Sequence, residues 1–224
     1  ISNLKTAKFN SSPIKQIISL NNRIYFLSPD LLIEYYNGTF KTYKPTNQFH
    51  IRSLVIGKHL FLIDIDNGFF VLENGVLNPV KNTEQFAQNK AYFSLPLSNN
   101  LFAIGFRNIG IYFANYNVTN PSLTKFTKAN SKIDDVLIDA EIINSAPINI
   151  KEIIVTSNKK GAFVINNKLE IVNRNNKKNG IRDDNVKAAF QDKNGNVWLA
   201  LNYGASYIEY NSPLKKLTQK NGIN

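Results

Sequence analysis

Asn196-Val-Trp-Leu-Ala-Leu201 is followed, after Asn202-Tyr203, by Gly204-Ala-Ser-Tyr-Ile-Glu209. Both segments are short, rich in β-branched, aromatic and aliphatic residues, and bounded by turn formers. Each therefore reads as a strand and the pair as a hairpin. The same pair occurs four more times upstream. It reads Arg23-Ile-Tyr-Phe-Leu-Ser28 then Leu31-Leu-Ile-Glu-Tyr-Tyr36, and His59-Leu-Phe-Leu-Ile-Asp64 then Gly68-Phe-Phe-Val-Leu-Glu73. It continues as Asn100-Leu-Phe-Ala-Ile-Gly105 then Gly110-Ile-Tyr-Phe-Ala-Asn115, and Lys151-Glu-Ile-Ile-Val-Thr156 then Gly161-Ala-Phe-Val-Ile-Asn166.

The anchor positions Tyr25, Phe61, Phe102, Ile153 and Trp198 stand 36, 41, 51 and 45 residues apart. A strand precedes each pair, at Ile14 to Ser19, Ile51 to Ile56, Ala91 to Leu95, within Val136 to Ile143, and Val186 to Gln191; a weaker fourth follows. A period of roughly 40–45 residues with four strands per unit is that of propeller blades. A twisted four-stranded unit cannot bury both faces alone, and stacking on similar neighbours buries them. The expected fold is all-β: a β-propeller region over 1–224 of about five four-stranded blades, in repeats 13–49, 50–88, 89–130, 131–178 and 179–220. The closing Lys220-Asn-Gly-Ile-Asn224 repeats the Lys178-Asn-Gly-Ile181 lead-in. Residues 221–224 thus read as the start of a further repeat, and the chain as part of a larger or incompletely closed propeller.

Composition narrows the chemistry. The 224 residues are 43% hydrophobic and 19% charged, ordinary for a globular domain, and no apolar run approaches the roughly 18 residues of a membrane span. The absence of cysteine and the presence of only His50 and His59 exclude a disulfide framework, a thiolate metal site and a histidine-rich cluster. The net charge of +11 raises the question of an anionic partner. The lysines are dispersed, however, and cluster only at Lys177-Lys178 and Lys215-Lys216 with Lys220. No basic stripe interleaved with aromatics appears, so nucleic acid is not an expected partner.

The last repeat, Asn179 to Tyr210, resembles the two-component regulator propeller repeat. Gly180-Ile181, Asn185-Val186, Asp192, Gly195-Asn196, Trp198 and Gly204 match that family's unit in order; Ala200 and Leu201 depart from its usual Gly-Thr. The other four repeats match in layout alone. The resemblance implies a periplasmic or extracellular sensor region of a membrane-anchored regulator, of the type found in Bacteroidetes hybrid two-component systems. It implies that a β-sandwich, a membrane helix and a signalling output follow, and that carbohydrate fragments are among the ligands. It also gives Trp198 a packing role between blades, with Gly195 and Gly204 as structural turn residues.

Other motifs read as structure. Asp64-x-Asp66-Asn67-Gly68 lacks the ligand spacing of a calcium loop and reads as a hairpin turn. Gly105 and Gly110 bound a turn; no Lys-Ser or Lys-Thr follows to make a phosphate loop. The carboxylate pairs Asp134-Asp135 and Asp183-Asp184 fall in inter-blade lead-ins, where Asp favours turns. His50 and His59 read as surface or edge residues. The expected binding face is the end carrying the second-to-third-strand loops, where Phe106, Arg107, Asn202 and Tyr203 are the candidate ligand contacts. The leading function is a non-catalytic sensing module with no cofactor or metal, taking an oligosaccharide or other small ligand and self-associating through propeller faces or exposed edges. The alternatives are a polysaccharide-acting propeller enzyme and a protein-interaction scaffold at the cell envelope.

Overall fold

The computed structural model describes residues 12–210. The Lys215, Lys216 and Lys220 cluster and the expected further repeat at 221–224 lie outside them. The described chain is all-β, with one short helix, and forms successive antiparallel sheets in the β-propeller arrangement. The first sheet holds β1 (Gln16–Leu20), β2 (Arg23–Leu27), β3 (Leu32–Tyr36) and β4 (Thr39–Tyr43). The second holds β5 (Leu54–Ile56), β6 (His59–Asp64), β7 (Gly68–Glu73) and β8 (Val76–Pro79). The third holds β9 (Ala91–Pro96), β10 (Leu101–Phe106), β11 (Gly110–Asn115) and β12 (Lys125–Lys128). The fourth holds β13 (Ile142–Asn149), β14 (Glu152–Ser157), β15 (Ala162–Asn166) and β16 (Ile171–Asn175). The fifth, of β17 (Val186–Gln191), β18 (Val197–Leu201) and β19 (Ala205–Ile208), has three strands among the described residues. Within each sheet the strands pair in sequence order, as hairpin connections require.

The chain divides into two compact units. Among the described residues, one comprises 12–142 with 167–169, the other 143–166 with 170–210. In the first unit, the two-residue period of a strand feeds two cores from one sheet. Phe61 and Ile63 of β6, with Phe69 and Val71 of β7, pack with Phe102, Ile104 and Phe106 of the third sheet. Leu60, Leu62 and Leu72, on the opposite face, pack with Tyr25, Leu27 and Leu32 of the first sheet. That is why β6 is apolar without alternation: it is covered on both sides. In the second unit, Val197, Leu199 and Leu201 of β18 pack with Ile154 and Val164 of the fourth sheet.

The repeated glycine that opens the third strand has a local cause. Gly68 (φ 84°) and Gly161 (φ 82°) are in the left-handed region, and a Cβ there would run into the backbone carbonyls of Thr83 and Asn175 respectively.

The lead-in to the fourth sheet differs from the sequence reading. Asp134–Ala140 is a helix, α1, where the sequence places a strand within Val136 to Ile143, and the first strand starts only at Ile142 and runs to Asn149. Asp134 and Asp135 occupy the first helical turn, where carboxylates suit the helix N-terminus. The left-handed Glu141 (φ 56°) ends the helix and turns the chain into β13. No helix among the described residues is long and apolar enough to cross a membrane.

Candidate functional site

The residues nominated from sequence divide between the core and the surface. Phe106 is not on a rim. It ends β10 fully buried, its ring stacked on Phe86 at 5.0 Å and edge-on to Phe69 at 6.2 Å. The last strand position faces the sheet interior here, so Phe106 is a packing residue. Arg107 is committed to the scaffold: its main-chain N–H donates to Lys90 O at 3.0 Å and its Nε to Ile142 O at 2.9 Å, with the guanidinium 5.0 Å from the Tyr92 ring centre. Asn202 and Tyr203 form the β18–β19 turn and are exposed, Tyr203 at 80%. Gly195 and Gly204 have left-handed φ of 81° and 88° at their turns.

Trp198 is 46% exposed rather than packed in the core. Strand alternation sends Val197, Leu199 and Leu201 inward and leaves Trp198 on the other face. There it lies opposite Phe190 and Tyr207, forming an aromatic row across β17, β18 and β19.

The acidic motifs are turn and cap devices. Asp64 is fully buried. Its Oδ1 accepts from Asp66 N (3.0 Å), Asn67 N (3.1 Å) and Asn67 Nδ2 (2.9 Å), and its Oδ2 from Thr46 N (2.8 Å). Burial works to raise its pKa, but these hydrogen bonds outweigh it and hold Asp64 below the ordinary carboxylate value. Asp134 accepts from Ile111 N at 3.0 Å and pairs with Lys128 Nζ at 2.5 Å. Asp183 accepts from Asn185 N and Asp184 from Lys177 N. His50, read as a surface residue, is buried and donates from Nε2 to Ala87 O at 2.8 Å.

The concave site lies elsewhere, between the first and second sheets. It has a volume of about 520 Å³, within the roughly 300–1,000 Å³ of small-molecule sites. Asn21 of the β1–β2 turn, Lys58 of the β5–β6 turn, and Asn74 and Gly75 of the β7–β8 turn rim it. These turns are at the opposite sheet end from the β2–β3 and β6–β7 loops favoured by the sequence reading. Arg23, Tyr25, Glu34, Lys41, Tyr43 and His59 line the walls.

Glu34 organises the cleft. It falls on the inward face of β3 with Leu32, so the strand buries a carboxylate. Both oxygens are engaged: Oε1 pairs with the Arg23 guanidinium and Oε2 accepts the Tyr43 hydroxyl at 2.6 Å. Burial, then the bond to Glu34, pushes Tyr43 far above the usual phenol value. Arg23 also lies 4.3 Å from the Tyr36 ring centre. His59 Nδ1 is 2.6 Å from Tyr116 Oη, and burial lowers its pKa. One signal for this site was present in sequence: a lone acid in the middle of Leu31-Leu-Ile-Glu-Tyr-Tyr36, at a position that alternation turns inward.

No family model and no curated protein sequence matches the chain. Solved structures do. The extracellular domain of a protein described as a hybrid two-component system of B. thetaiotaomicron superposes with a TM-score of 0.63 at 11% identity, covering 90% of this chain and 29% of its own. The fold is a β-propeller. The extracellular domain of a one-component system from the same organism gives a TM-score of 0.61 at 15% identity, covering 90% and 28%. PorZ, a surface component of the type-IX secretion system of Porphyromonas gingivalis, gives 0.62 at 12% identity, covering 88% and 32%. The chain spans under a third of the length of each. Among the described residues no three or more His, Asp or Glu side chains converge as metal donors.

Proposed function

We propose that this chain is a ligand-sensing propeller segment from the extracytoplasmic part of a membrane-anchored signalling regulator, and that it binds without catalysing. The observation that carries this reading is the cleft between the first two sheets. Its floor is the apolar core between those sheets, where Tyr25, Tyr43, Leu60 and Leu72 belong to core and lining alike, so the polar groups are preorganised. The single carboxylate lining it, Glu34, is held by Arg23 and Tyr43 through both oxygens. Glycoside hydrolysis needs a pair of carboxyl groups about 5–10 Å apart. A clamped, solitary acid serves recognition instead. The fold shared with extracellular domains of Bacteroides regulators supports the setting, and an oligosaccharide fragment is a ligand of suitable size.

A panel of soluble oligosaccharides, followed by thermal unfolding of the 1–224 chain, tests this. A ligand near 100 times its Kd should raise Tm by about 5–11 °C. The shift should vanish in Asn74→Arg, which fills the cleft mouth. A panel without any shift, or a shift indifferent to Asn74→Arg, would count against the reading.

A second reading, an envelope scaffold that contacts other proteins, is favoured by the exposed Phe190, Trp198 and Tyr207 row. Aromatic side chains presented together are typical of interaction surfaces. Self-association through that row is its direct consequence, and sedimentation of Trp198→Ser against the parent chain would test it.

A further inference from the structure

We infer that the cleft between the first two sheets selects a small hydroxylated anion, a sugar bearing a carboxylate or a phosphate; this rests on the reading of that cleft as the sensing site. Charge carries the inference. Arg23, Lys41 and Lys58 line the cleft against one carboxylate, Glu34. Glu34 is spent internally on Arg23 and Tyr43. Lys41 Nζ gives one N–H to Gly75 O, an uncharged acceptor, at 2.6 Å, and stands 5.2 Å from the Tyr43 ring centre. Among the described residues neither Lys41 nor Lys58 pairs with a carboxylate. Glu73 acts on His59 and Tyr116 but is not part of the lining.

Two ammonium groups thus share a concave site whose own lining holds no uncommitted carboxylate, Glu73 lying behind His59 outside it. Leu20, Leu60 and Leu72 in its walls lower the local dielectric and strengthen the pull on an anion. His59 adds no charge near neutral pH, because burial holds its pKa down. The hydroxylated part follows from the remaining lining. Asn21 and Asn74 stand at turn tips in left-handed backbone (φ 52° and 49°) and bring amides to the rim, the Asn21 Nδ2 donating to Lys58 O at 3.0 Å and keeping its carbonyl oxygen for a ligand, while Tyr25 and Tyr43 are buried in the floor. Amides donate to and accept from hydroxyls, and a ligand with several hydroxyls uses such groups where a bare ion does not. A bare inorganic ion would leave most of the 520 Å³ unfilled.

Isothermal titration of the 1–224 chain at low salt with glucuronate, glucose 6-phosphate, glucose and inorganic phosphate tests this. At least one of the two sugar anions should bind about tenfold or more tighter than both glucose and phosphate. Lys41→Ala and Lys58→Ala should each weaken it about fivefold. Both lysines are exposed, and unchanged melting of the free variants confirms that they fold. Glucose binding as tightly as the sugar anions, unaffected by either lysine substitution, overturns the anion selectivity and leaves the sensing cleft standing. Phosphate binding as tightly as glucose 6-phosphate overturns the hydroxylated part. If no probe binds while an oligosaccharide of the panel still shifts Tm through the cleft, the anion inference falls alone. If neither experiment gives binding, both readings fall.

Discussion

Trp198 Nε1 donates to Asp192 Oδ2 at 3.2 Å, across the turn that joins β17 to β18. The other oxygen, Asp192 Oδ1, accepts from Asn194 N at 2.9 Å and Asn196 N at 3.0 Å, and Gly195 in left-handed backbone (φ 81°) closes the turn. One carboxylate thus shapes the turn and fixes an indole six residues on. The Asp-x-x-Gly-Asn turn and the tryptophan, which read as separate marks in the sequence, are one physical unit. Burial works to raise the Asp192 pKa, but the bonds from Asn196, Trp198 and Asn194 outweigh it and hold the group below the usual carboxylate value.

Asp192→Ala should therefore lower Tm and loosen the indole together. Trp198 is the single tryptophan of the chain, so its emission reports the site without interference. The expected result is a drop in fluorescence anisotropy and easier quenching by acrylamide. Unchanged anisotropy with a reduced Tm would show that the turn, and not the indole bond, depends on Asp192.

Adjacent positions on β18 should respond very differently. Leu199 is fully buried between the fourth and fifth sheets, and Leu199→Ala should cost about 2–5 kcal/mol through lost burial and a residual cavity. Trp198→Ala, on the exposed face, should cost about 1 kcal/mol or less. Urea unfolding of the two variants measures the contrast.

Gly105 is needed for packing and not for its backbone angle. It pairs with Phe93 across β9 and β10, and the Phe93 ring occupies the space a Cβ would take. Gly105→Ala should cost about 1–3 kcal/mol by overpacking. Phe93→Leu in the same chain should recover part of that loss, which a purely backbone effect would not allow.

Stability should fall with acid in two stages. Burial, reinforced by Lys90, holds His50 below its ordinary value of 6.5, and burial does the same for His59. The unfolded chain takes up those protons first, so stability is lost as pH drops from about 6.5 toward the depressed folded values. Asp64 and Asp192, also depressed, add a second loss as pH falls below about 3.8. Denaturation midpoints between pH 7.5 and 3 would reveal both stages, and His50→Gln should shrink the first alone.

The strands were legible because their signal is local. A two-residue alternation between turn residues needs no knowledge of neighbours, and β2, β6, β10, β14 and β18 all fall where the anchors place them. The α1 helix was not: Asp134 to Ala140 carries no amphipathic pattern of useful length, and its ends are set by Ile111 and Lys128 binding Asp134 and by Glu141 turning left-handed. The rim reading of Phe106 failed because a loop-adjacent aromatic looks the same in sequence whether its ring points to water or into the Phe69 and Phe86 cluster.

By itself, then, the sequence determined the all-β class, the repeat and the sheet-by-sheet pairing of strands, since hydrogen-bonded period-two segments and Asn-Gly turns are written residue by residue. Only the tertiary structure decided which face of each strand is covered, that Trp198 stands on an open face while Phe106 is sealed, and that Arg23, Glu34, Lys41 and Lys58 meet in one cleft. Those outcomes depend on which sheet lies against which, and contacts between residues far apart in the chain leave no local pattern to read.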